Sequence, residues 1–195
     1  MLDIAFEILE CDAPARDCES SLADALEAAL PWLADEPDAG VHRLNLAAGN
    51  EPLLSRRTRL TLRVPRARAA AVEALSGRVL AVQPGMLRLG RAHRRELLAH
   101  GTLYAHLVAS DEDDEQDFLA EVGAGLAALS VSCRPICGRR AVLAAGTVRG
   151  FSLMLDGLPG ASAMRVLEAG LGPHRRLGCG IFVPHRSASA VGTPP

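Results

Sequence analysis

The chain has 195 residues, of which 49% are hydrophobic, 23% charged and 3% aromatic, with a formal net charge of −2. That length suits one large domain or two of just under a hundred residues each, and the apolar content excludes global disorder. No run approaches the roughly 18 consecutive apolar residues of a membrane helix, the acids of Met1–Glu7 argue against a signal peptide, and five cysteines without a CxxC pair read as reduced thiols in a cytoplasmic protein.

In chain order, Leu2–Leu9 is a short apolar run that predicts a strand. Cys18–Leu33 places apolar residues at 22, 25, 26, 29, 30 and 33, which is helical spacing, with Pro31 loosening the last turn. A short strand is expected at Val41–Leu46. Arg59–Val64 alternates Leu60, Leu62 and Val64 with Arg59, Thr61 and Arg63, so it predicts a half-buried strand with a basic outer face. Pro65 closes it, Ala67–Leu75 reads as a helix, and Arg78–Val82 with Met86–Leu89 reads as a last strand or hairpin. The order then repeats. Thr102–Ala109 predicts a strand, Asp113–Leu129 a helix with acids over its N-terminus, and Ser130–Arg134 another strand. Arg140–Ala144 and Thr147–Leu155 form a hairpin pair, Ala161–Ala169 a helix, and Gly180–Pro184 the final strand. Two βαββαβ units, each an α+β ferredoxin-like domain, fit this alternation. The expected division is 1–90, a linker at 91–101, 102–186, and a disordered polar tail at 187–195.

The near-neutral total hides blocks of charge. All 21 basic residues are arginine. Residues 43–95 carry a local balance of +10 and residues 134–195 one of +6, while residues 1–42 and 96–133 are acidic. A guanidinium presents a planar donor fork that fits phosphate oxygens, so the two basic blocks point to a polyanion, with nucleic acid the leading candidate. Codon bias accounts for the missing lysine, but not for the acids avoiding the same blocks.

The sharpest motif is Gly170-Leu-Gly-Pro-His-Arg-Arg-Leu-Gly-Cys-Gly180, four glycines around a basic loop between a predicted helix and a predicted strand. Glycine lets the backbone approach a ligand and expose N–H groups to anions, and His174, Arg175 and Arg176 add charge at the tip. The loop has neither the Gly-Lys-Ser/Thr ending of a Walker loop nor the strand-to-helix placement of a dinucleotide fingerprint. A plain structural turn is the competing reading.

This loop, followed by Ile181-Phe-Val-Pro184, resembles the C-terminal signature of the CRISPR-associated repeat-processing endoribonucleases, and more narrowly their myxococcal-type branch. Pro31-Trp-Leu33 with Gly40-Val-His42, the run Leu54–Pro65, and Thr102-Leu-Tyr-Ala105 are similar to segments of that branch. The resemblance spans Leu2 to Pro184. It implies tandem ferredoxin-like domains, metal-independent cleavage of a CRISPR repeat transcript, and retention of the guide RNA with other effector subunits; no cofactor is expected.

Under that resemblance His42 is the general base, since an imidazole titrates near working pH and His42 lies beside Arg43, where family members carry their histidine. A surface-turn histidine is the plainer alternative. Ser55 is assigned to phosphate positioning, with a turn serine the plainer reading. One arginine of the Arg56-Arg57-Thr58-Arg59 cluster, with Arg57 the catalytic candidate, is assigned to stabilising the transition-state charge; which arginine does so stays open. Arg43, Arg56, Arg59, Arg63, Arg139, Arg140, Gly172, His174, Arg175, Arg176 and Gly178 form the expected RNA footprint. With so few aromatic residues, phosphate and duplex-shape contacts outweigh base stacking. Cys133 and Cys137 have no matching ligand pair, which argues against zinc, and the acidic run Asp111–Asp117 lacks the pattern of a calcium loop. A non-catalytic guide-RNA-binding subunit and a small-molecule regulatory module remain alternatives.

Overall fold

The computed structural model describes residues 1–12, 18–44 and 58–185, which cluster into two compact units. The first comprises Met1–Glu96 together with Leu143–Ala145 and Arg175–Gly178; the second comprises Leu97–Val142, Gly146–His174 and the chain from Cys179. The last of these ends, among the described residues, at His185, so the expected tail at 187–195 lies outside them.

In the first unit, β1 (Leu2–Cys11) leads to α1 (Glu19–Ala29), β2 (Gly40–Val41), β3 (Arg59–Val64), α2 (Ala69–Glu73), β4 (Val79–Val82) and β5 (Gly85–Arg95). The sheet runs β2-β3-β1-β5-β4, the ferredoxin-like order with a hairpin as its last member. Strand alternation sends Leu2, Ile4 and Phe6 of β1 and Leu60, Leu62 and Val64 of β3 to one face, where they bury against Leu22 and Leu26 of α1 and Val72 of α2. The apolar spacing over Cys18–Leu33 gives two elements rather than one helix. Pro31 has no N–H to donate and forces Leu30 out of helical geometry (φ −135°, ψ 74°), so α1 ends at Ala29 and a 3-10 turn occupies Pro31–Asp35. Strand β5 pairs with β1 as far as Asp3↔Arg95, so residues 91–95, expected in a linker, are strand.

The second unit is built from β6 (Thr102–Ala109), α3 (Glu115–Ala128), β7 (Arg134–Leu143), β8 (Val148–Asp156), α4 (Gly160–Ala169) and β9 (Val183–Pro184), with sheet order β7-β8-β6-β9. Its core packs Leu103 and Ala105 of β6 and Leu153 and Leu155 of β8 against Phe118 and Val122 of α3 and Val166 of α4. Asp114 caps α3, its carboxylate accepting from the Gln116 N–H at 2.7 Å, and Glu115 and Asp117 add negative charge to the first turn. The expected strand at Ser130–Arg134 does not form. Ser130 takes a left-handed turn (φ 53°), and one strand runs from Arg134 through the segment read as two pieces. Pro135 lies inside that strand because β7 is at the edge of the sheet, where a missing N–H costs no ladder bond. Each unit is ferredoxin-like, and the chain is an α+β protein.

Candidate active site

The first sheet has a second face, opposite its hydrophobic core. Strand β3 lies between β1 and β2, and its register aligns Asp3, Arg63 and Gly40 in one cross-strand row. The His42 N–H donates to the Thr61 carbonyl at 2.8 Å, which places His42 on the next row of the same face. Residues opposed across strands project to one side, so Asp3, Arg63 and His42 converge although 60 and 39 residues separate Asp3 from its two partners.

The pairing there is specific. Arg63 Nε donates to Asp3 Oδ1 at 2.7 Å and Nη2 to Oδ2 at 2.9 Å, a bidentate fork. His42 Nε2 lies 3.4 Å from the same Oδ1. The Arg63 side chain is 2% exposed, whereas Asp3 and His42 keep 15% and 16%, so the site opens at the histidine. Burial alone would raise the Asp3 carboxyl, but the Arg63 fork and the His42 contact outweigh it and hold that carboxyl far below the ordinary carboxylate range. Burial lowers the His42 imidazole below its usual value; Asp3 opposes this, and the nearby Arg63 and Arg175 reinforce it. An imidazole that is neutral at neutral pH can accept a proton.

A 3-10 turn at Arg175–Leu177 packs with this unit. The buried Arg175 donates from Nη2 to the Asp38 carbonyl at 2.8 Å, and burial lowers its guanidinium to about 10. Beside His42 lies a pocket lined by Cys18, Glu19, Arg43 and Arg176, with Leu22 and Leu177 at its apolar wall. Arg43 is 37% exposed and 3.9 Å from Glu19, and Arg176 pairs with Glu27. Gly178 (φ 90°) passes so close to this strand end that a Cβ there would sit 3.3 Å from the Arg43 nitrogen.

Two expectations for the RNA footprint are corrected. Arg63 lies on the non-core face, as the alternation requires, but that face is not open there: the guanidinium is buried on Asp3 and cannot track an RNA backbone. Arg175 is not at an exposed loop tip, because its side chain turns into the first unit to reach Asp38. Arg59 remains part-exposed, donating to the Thr58 carbonyl at 3.0 Å and lying 3.9 Å from Glu7. In the second unit Arg139, Arg140 and His174 are exposed, Arg140 pairs with Asp113, and Asp113 also lies 3.7 Å from the exposed Arg149. Gly172 (φ 73°) runs against the Ala109 carbonyl. Ser55, Arg56 and Arg57 lie outside the described residues. Sequence reading missed Asp3, whose only local signal is an acid interrupting an apolar strand; its partners appear only once β1, β2 and β3 are in register.

The family profile described as Cas6 Crispr matches residues 2–187. This chain belongs to the Cas6 family. The CRISPR-associated endonuclease Cas6 of Myxococcus xanthus (strain DK1622) is 33% identical over 174 residues, covering 87% of this chain and 76% of that protein. A solved structure described as CRISPR associated protein Cas6 superposes with a TM-score of 0.65 at 12% identity, covering 95% of this chain and 99% of that one. A RAMP protein binding different RNA substrates gives 0.62 at 14% identity, with 93% and 98% covered. At those identities the likeness concerns the fold, and it agrees with the tandem ferredoxin-like arrangement of the Cas6 proteins.

Proposed function

We propose that this chain processes CRISPR repeat RNA as an endoribonuclease that needs no metal, with His42 as the general base. Membership of the Cas6 family supports repeat-RNA cleavage. The observation that carries the residue assignment is the part-open imidazole of His42, held against a carboxylate and flanked by arginines on the non-core face of the first sheet. In the proposed step His42 takes the proton of a ribose 2′-OH, and the 2′-oxygen attacks the adjacent phosphorus as the bond from phosphorus to the 5′-oxygen breaks. The leaving oxygen gains a proton, giving a 2′,3′-cyclic phosphate and a 5′-OH. A positioned base contributes about 10²–10⁴-fold to such a reaction. Charge building on the non-bridging oxygens is met by guanidinium groups, with Arg43 and Arg176 lining the pocket and Arg57 assigned from sequence; Ser55 is assigned to positioning the phosphate and Arg56 to the RNA footprint. Arg59, Arg139, Arg140, His174, Gly172 and Gly178 complete the proposed RNA footprint. The processed guide is proposed to stay bound and to enter an effector complex with other CRISPR-associated subunits in the cytoplasm.

The test is cleavage of an end-labelled repeat transcript in the presence of a chelator. Cutting that persists in chelator, stops with a 2′-deoxy substitution at the scissile nucleotide, and slows about 10²-fold or more in His42→Ala supports the assignment. Wild-type rates from His42→Ala remove His42 as the base. Tight binding with no turnover points instead to a guide-binding subunit.

A further inference from the structure

The base proposed above has two ring nitrogens, and only one can face the ribose. Among the described residues His42 makes its ring hydrogen bond through Nε2, to Asp3 Oδ1, and Nδ1 makes none. Asp3 in turn is gripped on both oxygens by Arg63, with the carboxylate bridging the cation and the imidazole. An ionised carboxylate can only accept hydrogen bonds, so the proton of the His42–Asp3 contact belongs to the ring. We infer that Asp3 is a positioning residue: clamped by Arg63, it fixes neutral His42 as the Nε2–H tautomer and leaves Nδ1 as the nitrogen that takes the ribose proton, an assignment that rests on His42 being the base.

The surroundings agree with this arrangement. The charged groups facing His42 are Asp3 on β1, Arg63 on β3 and Arg175 on the 3-10 turn, with Arg43 next in the chain and Glu19 of α1 and Arg176 across the pocket. Among the described residues, Asp3 alone both touches the ring and carries negative charge. Rotating the ring to place Nδ1 on Asp3 would give the other tautomer, so the contact ties protonation to the ring's orientation, which here sets Nε2 on Asp3. Arg63 has no catalytic part in this scheme. It keeps the carboxylate ionised and immobile, and its two parallel hydrogen bonds do so with a geometry that lysine cannot reproduce.

The experiment is ¹⁵N-histidine labelling of the full chain, with the His42 signals assigned by their loss in His42→Gln and the tautomer read from long-range ¹H–¹⁵N correlations above the ring's titration. The expected result is a protonated Nε2 and an unprotonated Nδ1. A protonated Nδ1, or an even mixture, overturns the inference. Asp3→Asn provides the second readout. Without the carboxylate charge the imidazolium loses the anion at its Nε2, so His42 titrates at lower pH and the acidic limb of the cleavage profile moves to lower pH with it. The plateau rate falls about 10-fold or more, a part of what a positioned base supplies. A folded Asp3→Asn with unchanged His42 titration and an unchanged profile also overturns the inference. If Asp3→Asn does not fold, the wild-type tautomer decides. Normal cleavage by His42→Ala would refute the base assignment while leaving the tautomer result standing, so the two failures are separable.

Discussion

Replacing Arg63 with methionine separates a structural arginine from an RNA-contacting one. Methionine keeps an unbranched apolar stem and removes the guanidinium, leaving the Asp3 carboxylate in its part-buried place. Breaking a buried pair by deleting one partner costs about 3–5 kcal/mol. Here the lower end applies, because Asp3 is 15% exposed and keeps its 3.4 Å contact with His42. A loss of about 3 kcal/mol changes the unfolding equilibrium by roughly 150-fold at RT ≈ 0.59 kcal/mol. In a chain of this length it lowers the melting temperature by about 6–12 °C. Removing both charges with Asp3→Leu and Arg63→Met should bring stability back to within about 1 kcal/mol of wild type, since an apolar pair of similar volume replaces an ion pair at little cost. Urea unfolding of the four proteins gives the coupling energy directly. Salt-dependent RNA binding by the folded Arg63→Met protein supplies the contrast: a lost phosphate contact flattens the slope by about 0.7–0.9, and Arg63→Met should leave it unchanged. Additive stability effects, or a flattened slope at wild-type stability, would refute the buried-clamp assignment.

Other consequences can be measured independently. Acid should destabilise the first unit in two stages: His42 is held below its unfolded value of 6.5, so the unfolded chain protonates first and stability falls as pH drops through that value, and Asp3 adds a second loss below 3.8. Urea midpoints between about pH 8 and about pH 5 should therefore decline, and His42→Gln should flatten that decline. Gly180 has φ 64°, and a Cβ there would lie 1.9 Å from the Leu171 carbonyl oxygen, so Gly180→Ala should cost several kcal/mol by denaturant titration; Gly146→Ala, with φ 91° and open space around it, should cost about 1–2 kcal/mol. Asp113→Asn releases Arg140 and Arg149 on the second unit and should tighten RNA binding and steepen its salt dependence, whereas Arg139→Gln should flatten the slope by about 0.7–0.9.

The sequence pattern made most of the fold legible because both units obey simple periodicities. Leu60, Leu62 and Val64 alternate in β3, and Leu22, Leu26 and Leu30 follow helical spacing, so neither needed tertiary information. The errors fell where local signals mean two things. Pro135 and Gly138 look like strand breakers, yet β7 carries both because it is an edge strand. Arg63 shows the deeper limit. Period-two alternation assigned it to the correct face, but exposure depends on what a partner strand brings opposite, and Asp3 lies 60 residues earlier. His42 was placed by resemblance; its carboxylate partner could be found only from strand register.

Burial first, and charge second, keeps the imidazole of His42 neutral. Asp3 sets a negative charge against the ring, the buried guanidiniums of Arg63 and Arg175 set positive charge beside it, and Arg175 in turn feels Asp38. The two guanidiniums oppose protonation of His42 and add to the effect of burial, while Asp3 works against both. Burial lowers Arg175 only to about 10, so it remains charged at neutral pH and keeps its effect on the ring. Under the proposed function a phosphate arriving at the pocket adds negative charge beside the ring. It also weakens the field that holds the imidazole neutral, so His42 becomes easier to protonate as the anion is bound. Proton uptake is what His42, as the proposed base, must do at the moment of attack. In the proposed mechanism Arg63 and Arg175 thus help burial to keep the imidazole free before RNA binds, and their hold weakens once a phosphate is in place.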